Sequence, residues 1–342
     1  MKITSVLFAS AAALVAVSGA QAADAIVAAE PEAIEYVRVC DAFGTGFFYI
    51  PGTETCLKIS GLVRTQYNFY KDEKKPSDWN TWTRAQLTFD ARTETDLGAL
   101  RSLITLRGQP DNGGRGTGVW VEEAYIQLGG FTAGKVYSYW DNDLSGEADS
   151  LSTNALFNSV RYDVTTGAFE AGISIDELDG VDLDGDDYTA GNTEGNNVGI
   201  AGNLGFTAGA VTANLIGGYD FDREEGALRL IATADVGPGT LGFAAVWASG
   251  ANAYYADSEW AIAAEYGVKA TDKLKVTLGA QYSDSLLDAS TLEFSTVDQW
   301  KYAATFDYAI TSGLAAKVSL DYTKVDGVDG EFGGFVRLNR SF

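Results

Sequence analysis

The 342-residue chain contains no histidine. That absence removes Ser-His-Asp and Cys-His catalysis, histidine-ligated metals and the usual general base. Outer-membrane proteases and lipases, which use a histidine, are excluded with it. Carboxylates alone could still do acid–base work, but no motif in the chain supports it. Cysteine is almost as scarce: the two, Cys40 and Cys56, are too few for a metal site without histidine. In an oxidising compartment they would close a loop worth about 3 kcal/mol, two reduced thiols being the alternative. Proline is limited to 5 residues against 39 glycines. Positive charge is the minority, 24 Lys and Arg against 47 Asp and Glu for a net −23, which argues against nucleic acid as a partner. Past residue 22 no apolar run approaches the ~20 residues that a membrane helix requires.

What is present begins with MKITSVLFASAAALVAVSGAQA. Lys2 is a short positive region, Ile3–Val17 an apolar core and Ala20-Gln21-Ala22 a small-residue cleavage site. Residues 1–22 therefore read as a secretory signal peptide. Residues 23–55 read as an N-terminal segment carrying the cysteine loop, and 56–342 as the body of the fold. Residues 23–36 suggest no function.

That body alternates. Ile59, Val63, Tyr67 and Phe69 share one face of Lys58–Tyr70, with Lys58, Ser60, Arg64, Gln66 and Asn68 on the other. Thr81–Arg92 sets Leu87 and Phe89 against Arg84, Gln86 and Thr88. Leu100–Gly108 sets Ile104 and Leu106 against Arg101, Thr105 and Arg107. Strands turn alternate side chains to opposite sides, so each segment has an apolar and a polar wall. The pattern returns through the chain to Phe332–Phe342, and the segments total about 16. Short connections such as Thr165-Thr166-Gly167, Gly237-Pro238-Gly239, Thr271-Asp272-Lys273 and Thr311-Ser312-Gly313 alternate with long polar ones. Aromatics, among them Trp247, Trp260, Trp300 and Tyr308, mark strand ends. The expectation is an all-β fold: a transmembrane antiparallel barrel with lipid outside and water inside. A soluble β-sandwich would leave a polar face on every strand unexplained.

One connection stands apart. Glu122–Leu128 and Phe131–Trp140 flank Gly129-Gly130 as a hairpin, and alternation resumes only at Asn158. The intervening stretch, about 141–157, carries Asp141, Asp143, Glu147 and Asp149. Loops that long are usually functional, and this one is expected to fold into the barrel as a constriction loop.

The block EYVRVCDAFGTGFFYIPGTETCLKISGLVR (Glu35–Arg64) resembles the N-terminus of the alphaproteobacterial general porins. The signal peptide, constriction-loop region and last strand extend the resemblance over effectively the whole chain. It implies passive diffusion of small hydrophilic solutes across the outer membrane, in contact with lipid and lipopolysaccharide, by a homotrimer without a cofactor. It also implies a basic wall facing an acidic inserted loop. Carried onto this chain, the wall is Arg64, Arg84, Arg101 and Arg107, all inward by strand parity. The facing acids are Asp141, Asp143, Glu147 and Asp149. Lys135, in G-K-V-Y-S where related porins often have arginine, is expected inward and basic. Glu123 has inward parity, and Arg229, Arg337, Lys275 and Lys317 read as general lumenal charge. The terminal Phe342, with Leu338 and Val336, resembles the signal read by the barrel-insertion machinery, although Arg340 stands where an aromatic is common.

Two alternatives stay open. A substrate-specific, sugar-type channel would line its path with aromatics, which Tyr137, Tyr139 and Trp140 could begin. A surface-binding or adhesin barrel would use its acidic loops for display. Calcium binding at DGVDLDGDDY (Asp179–Tyr188) fails the EF-hand test, because glycines occupy the first and twelfth ligand positions. Gly113-Gly114-Arg115-Gly116 matches no phosphate-binding pattern. Overall acidity and the loop acids lead to an expectation of mild cation preference.

Overall fold

A computed structural model of the protein describes residues 37–70, 78–110, 118–153, 155–178 and 197–342. The signal peptide, residues 23–36, the acidic stretch Asp179–Tyr188 and Gly113–Gly116 lie outside the described residues. In chain order the strands are β1 (Phe48–Tyr49), β2 (Cys56–Tyr70), β3 (Trp79–Thr95), β4 (Gly98–Gly108), β5 (Trp120–Leu128) and β6 (Phe131–Tyr137). They continue with β7 (Leu156–Thr166), β8 (Phe169–Glu177), β9 (Val198–Ala208), β10 (Val211–Asp220), β11 (Glu225–Val236) and β12 (Gly239–Ala248). The last are β13 (Ser258–Lys269), β14 (Leu274–Asp288), β15 (Glu293–Phe294), β16 (Gln299–Thr311), β17 (Leu314–Val325) and β18 (Glu331–Ser341).

From β2 onward each long strand pairs antiparallel with its neighbour in sequence, β14 passing directly to β16. β18 returns to β2, with Val336 opposite Tyr67 and Leu338 opposite Thr65. The sheet is thereby a closed barrel of 16 long strands among the described residues, with the two-residue β1 and β15 as side pairings. Closure leaves no strand edge unpaired, as a hydrocarbon environment demands.

All four short connections expected from the sequence fall at one end of the barrel. Gly167 and Gly237 take φ values of 60° and 61° there, a left-handed conformation that costs glycine little and other residues more. The other end carries the longer connections.

Register settles which face each row takes. Arg64 lies opposite Arg84 and Gln86 opposite Arg107, so the three arginines share the lumenal row. Ile59, Val63, Leu87, Ile104, Phe243, Trp247, Ile262 and Trp300 lie on the outward row and are exposed. Apolar side chains outside and polar ones inside invert the layout of a soluble domain, because hydrocarbon is the outer solvent.

One sector departs from the expected polar lining. On β10–β13 the inward row carries Ile216, Ala227, Ile231, Ala244, Val246, Ala261 and Ala263, all buried. The long connection after β6 packs on them, Trp140, Leu144, Leu151 and Ala155 joining a single cluster. This part of the lumen is a dry core between wall and loop, and small alanines make room for the insertion.

The segment before the barrel is tied down by the Cys40–Cys56 disulfide. Cys56 lies opposite Arg92, close to the short-turn end, and the Arg92 guanidinium sits 5.2 Å from the centroid of the Phe47 ring.

Phe243 is 40% exposed on the outward row near the middle of β12. Phe243→Arg should therefore lower folding stability in lipid vesicles by ~2–4 kcal/mol, measured by denaturant titration. An unchanged midpoint would contradict the outward assignment.

Candidate functional site

The connection that follows β6, described over 138–153, crosses the lumen before the chain resumes at β7. Where it packs on the wall its backbone is shut off from lumenal water, and wall side chains supply the partners. Arg229 on β11, 1% exposed, donates from Nη1 to the Leu151 carbonyl (2.6 Å) and from Nη2 to the Asn142 carbonyl (2.8 Å). Glu265 on β13 accepts from the Ser145 backbone N–H (2.8 Å), the Ser145 hydroxyl (2.6 Å) and the Gly146 N–H (2.7 Å). A Cβ at Gly146 would stand 2.5 Å from Glu265 Oε2, so a side chain there would push the carboxylate out of its present bonds. Gln281 accepts from the Ser150 N–H (2.8 Å) and donates back to its hydroxyl (2.8 Å). Thr305 accepts from the Glu147 N–H at 3.2 Å.

A second connection braces the first. Asn252, Tyr254 and Tyr255, between β12 and β13, are fully or almost fully buried, and both rings lie against Trp140 at centroid distances of 6.3 and 6.4 Å. The Tyr254 hydroxyl donates to Asp176 (2.8 Å), which also accepts from Ser159 and Ser174. A Cβ at Gly218 would lie 2.5 Å from the Tyr254 ring. No sequence signal separates these 249–257 residues from an ordinary external loop.

The wall arginines divide into two groups. Arg64, Arg84 and Arg107 interact electrostatically with one another and, through Arg64 and Arg84, with Arg337. Arg64 donates to Asn339 (3.3 Å), and Arg107 to Gln86 (3.1 and 3.0 Å) and Glu122. Arg101 points inward as expected, but shares Asp90 with Arg92 at 3.0 and 2.7 Å, nearer the short-turn end. It belongs to a triplet of two arginines sharing one carboxylate, apart from the other three. Lys135 is a correction. It lies opposite Ala124 and Asn158, in the outward row of Phe131 and Ala133, while Thr132 and Arg161 take the inward row. Register decides the direction of a strand residue, whatever charge a related sequence carries there.

Glu122, which parity had pointed away from the lumen, also faces inward. A bulge leaves it unopposed between Val121, paired with Leu106, and Glu123, paired with Thr105. Bulges re-aim side chains in this way. Glu122 accepts from Arg107, the Tyr137 hydroxyl and Trp120 Nε1 (2.7 Å), while Glu123 accepts from Thr105 at 3.1 Å.

The four loop acids have separate roles. Asp149 accepts from the Leu144 and Leu151 N–H groups at 3.1 and 2.8 Å. It folds the loop on itself, correcting its expected place in a row of facing acids. Glu147 pairs with Lys317 at 2.9 Å and lies 3.8 Å from Arg337, which gives those two cations a specific partner. Asp141 and Asp143 form no ion pair within 4 Å among the described residues. The Asp143 carboxylate reaches lumenal water. Even so, the protein crowding it, then the charge of Asp149, push its pKa up to about 6. Burial also raises Asp141 above the usual range.

The described molecule is thus a closed membrane barrel with a loop fastened across its water-filled interior, the architecture of an outer-membrane channel. Residues 24–334 match the family model described as Porin subfamily, and the chain belongs to that family. It is 45% identical to outer membrane protein IIIA of Rhizobium leguminosarum bv. viciae, over 97% of this chain and 92% of that one. It is 35% identical to porin Omp2a of Brucella suis biovar 1, over the full length of both. Among solved structures, the outer membrane channel DcaP of Acinetobacter baumannii matches with a TM-score of 0.64 at 14% identity, covering 86% of this chain and 99% of that one. A trimer form of OmpT from Vibrio cholerae matches at 0.63 and 15%, covering 85% and 100%; these two show the fold alone. The protein is a porin of the Gram-negative outer membrane, alphaproteobacterial in its relatives, and its family are channels rather than enzymes.

Asp143 is charged above about pH 6 and neutral below it. Lowering the pH from 7.5 to 5 should therefore shift the reversal potential in a salt gradient towards anions. Asp143→Asn should remove most of that step, and a step of full size in the variant would assign it elsewhere.

Proposed function

We propose that small hydrophilic solutes and ions diffuse passively through the water-filled space between Asp141 and Asp143 on the loop and Arg64, Arg84 and Arg107 on the wall. One observation carries this reading: the loop backbone is bonded to β11, β13, β14 and β16, and its Glu147 pairs with Lys317 on β17 and approaches Arg337 on β18, while Arg64, Arg84 and Arg107 stand on other strands, β2 to β4. Acids and arginines that face each other without pairing set a field across the path, and charged linings select ions in this way. Arginine suits the wall because its charge does not titrate.

The acids and the chain's negative balance support a mild cation preference. Residues 1–22 act as the export signal, and Phe342 as part of the signal for barrel insertion. The outward rows meet lipid, and lipopolysaccharide in the outer leaflet. The mature protein works as a homotrimer without catalysis, a reading favoured by the trimer form among its structural neighbours.

Purified mature protein in planar bilayers should give stable conductance steps with a weakly cation-selective reversal potential. Arg64→Ala combined with Arg84→Ala should strengthen the cation preference. An anion-selective wild type, or a double variant with unchanged reversal potential, would refute the assigned constriction. Arg229→Met removes the donors to Leu151 and Asn142 and should broaden the distribution of conductance steps by freeing the loop.

A further inference from the structure

Beside the loop, towards the short-turn end, the lumenal wall opens into a recess of ≈ 530 Å³ bounded by β5, Tyr137 at the end of β6, β7–β10 and the loop residues Ser138, Tyr139, Asp141 and Asn142. Its size lies within the range of small-molecule sites. Part of its lining is fixed in place. Arg161 stacks over Tyr139 at 4.3 Å and donates to Asp163 at 2.6 Å, and the Tyr139 hydroxyl donates to the same Asp163 at 2.7 Å. A Cβ at Gly172 would stand 2.2 Å from that hydroxyl, so the wall is shaped to seat the ring.

The rest of the lining has unused hydrogen-bonding capacity of both kinds. The Gln127 and Asn214 side-chain amides have no hydrogen-bond partner among the described residues. Asn203 donates to Glu170 at 3.1 Å, while its own Oδ1 is a buried acceptor without a partner. Asp141 offers carboxylate acceptors without an ion pair. A simple anion would meet three carboxylates, Asp141, Asp163 and Glu170, against the single Arg161. A simple cation would leave the free amide N–H groups unserved. Groups that both donate and accept satisfy the whole set, and hydroxyls do so.

We propose that this recess is a weak binding site for neutral polyhydroxylated solutes of the size of one sugar ring, passed on the way through the pore. The site rests on the channel reading above and makes the pore a general one with a resting place for sugars. Fixed Arg161, Tyr139 and Asp163 form its rigid side, and Gln127, Asn203 and Asn214 make the hydrogen bonds that select hydroxyls.

The test uses the mature protein in planar bilayers, with D-glucose, glycerol at matched viscosity, and putrescine as probes. Glucose should reduce the current beyond the viscosity effect and saturate, whereas glycerol should follow viscosity alone. Asn203→Leu and Asn214→Leu should each raise the half-blocking glucose concentration roughly fivefold to tenfold, the cost of about one hydrogen bond. Folding of each variant is checked by the heat-dependent mobility of the barrel on gels. Should either fail to fold, Gln127→Leu on β5 replaces it. Glucose behaving like glycerol, saturable block by putrescine in place of glucose, or variants with unchanged half-blocking concentrations would each overturn the site. Absence of any conductance in salt alone would instead overturn the channel reading, so the two failures are distinct.

Discussion

Everything inside this barrel depends on how a polar loop backbone is held where it packs on the wall, out of reach of both sheet and lumenal water. Residues 138–153 cross the lumen without secondary structure of their own, and their peptide groups need partners. The wall supplies these from several strands: Arg229 takes two carbonyls, Glu265 two N–H groups, and Gln281 and Thr305 one N–H each. Asp149 closes the loop from within. Arg229 is the most constrained of them, a buried cation whose charge is balanced by nearby Asp149, Asp143 and Asp141. The loop acids thus have a structural duty beside any role in the pore.

That fastening divides the lumen into a dry and a wet half. On the dry side, Trp140, Leu144 and Leu151 press on an inner wall of alanine, valine and isoleucine, and Tyr254 and Tyr255 cover the entry of the loop. Burial of apolar surface there favours the inserted position, and the hydrogen bonds fix its register. On the wet side the wall is charged. Glu147 meets Lys317 and Arg337 where loop and wall touch, while Arg64 and Arg84 face the water with no carboxylate partner within 4 Å among the described residues. Charges already spent on neighbours contribute little net field. The unpaired ones therefore define the path.

The same division explains why the arginines differ. Arg101 shares Asp90 with Arg92, and Arg107 is held by Glu122 and Gln86. An arginine with a bidentate or multiple partner is a fixed wall element. Arg64, held by a single amide, keeps more of its charge for the solution. Lumenal position alone therefore does not make a residue part of the selectivity device; the partner it already has decides how much charge reaches a passing ion.

The sequence by itself determined the barrel, its number of strands, the end with short turns and the lumenal direction of Arg64, Arg84, Arg101 and Arg107. It could do so because strand parity is a local property with a period of two, readable residue by residue. It also singled out the inserted loop, since a polar run without alternation between two clear strands has few other places to go. Tertiary structure alone decided what each charge touches. Glu122 turns inward at a bulge set by pairing with β4, Lys135 turns outward with its row, and Asp149 serves the loop. Arg229, Lys317 and Arg337 find partners in a segment about 80 to 190 residues away. Those contacts depend on the closure of β18 on β2 and on the docking of two loops inside, which no local pattern encodes.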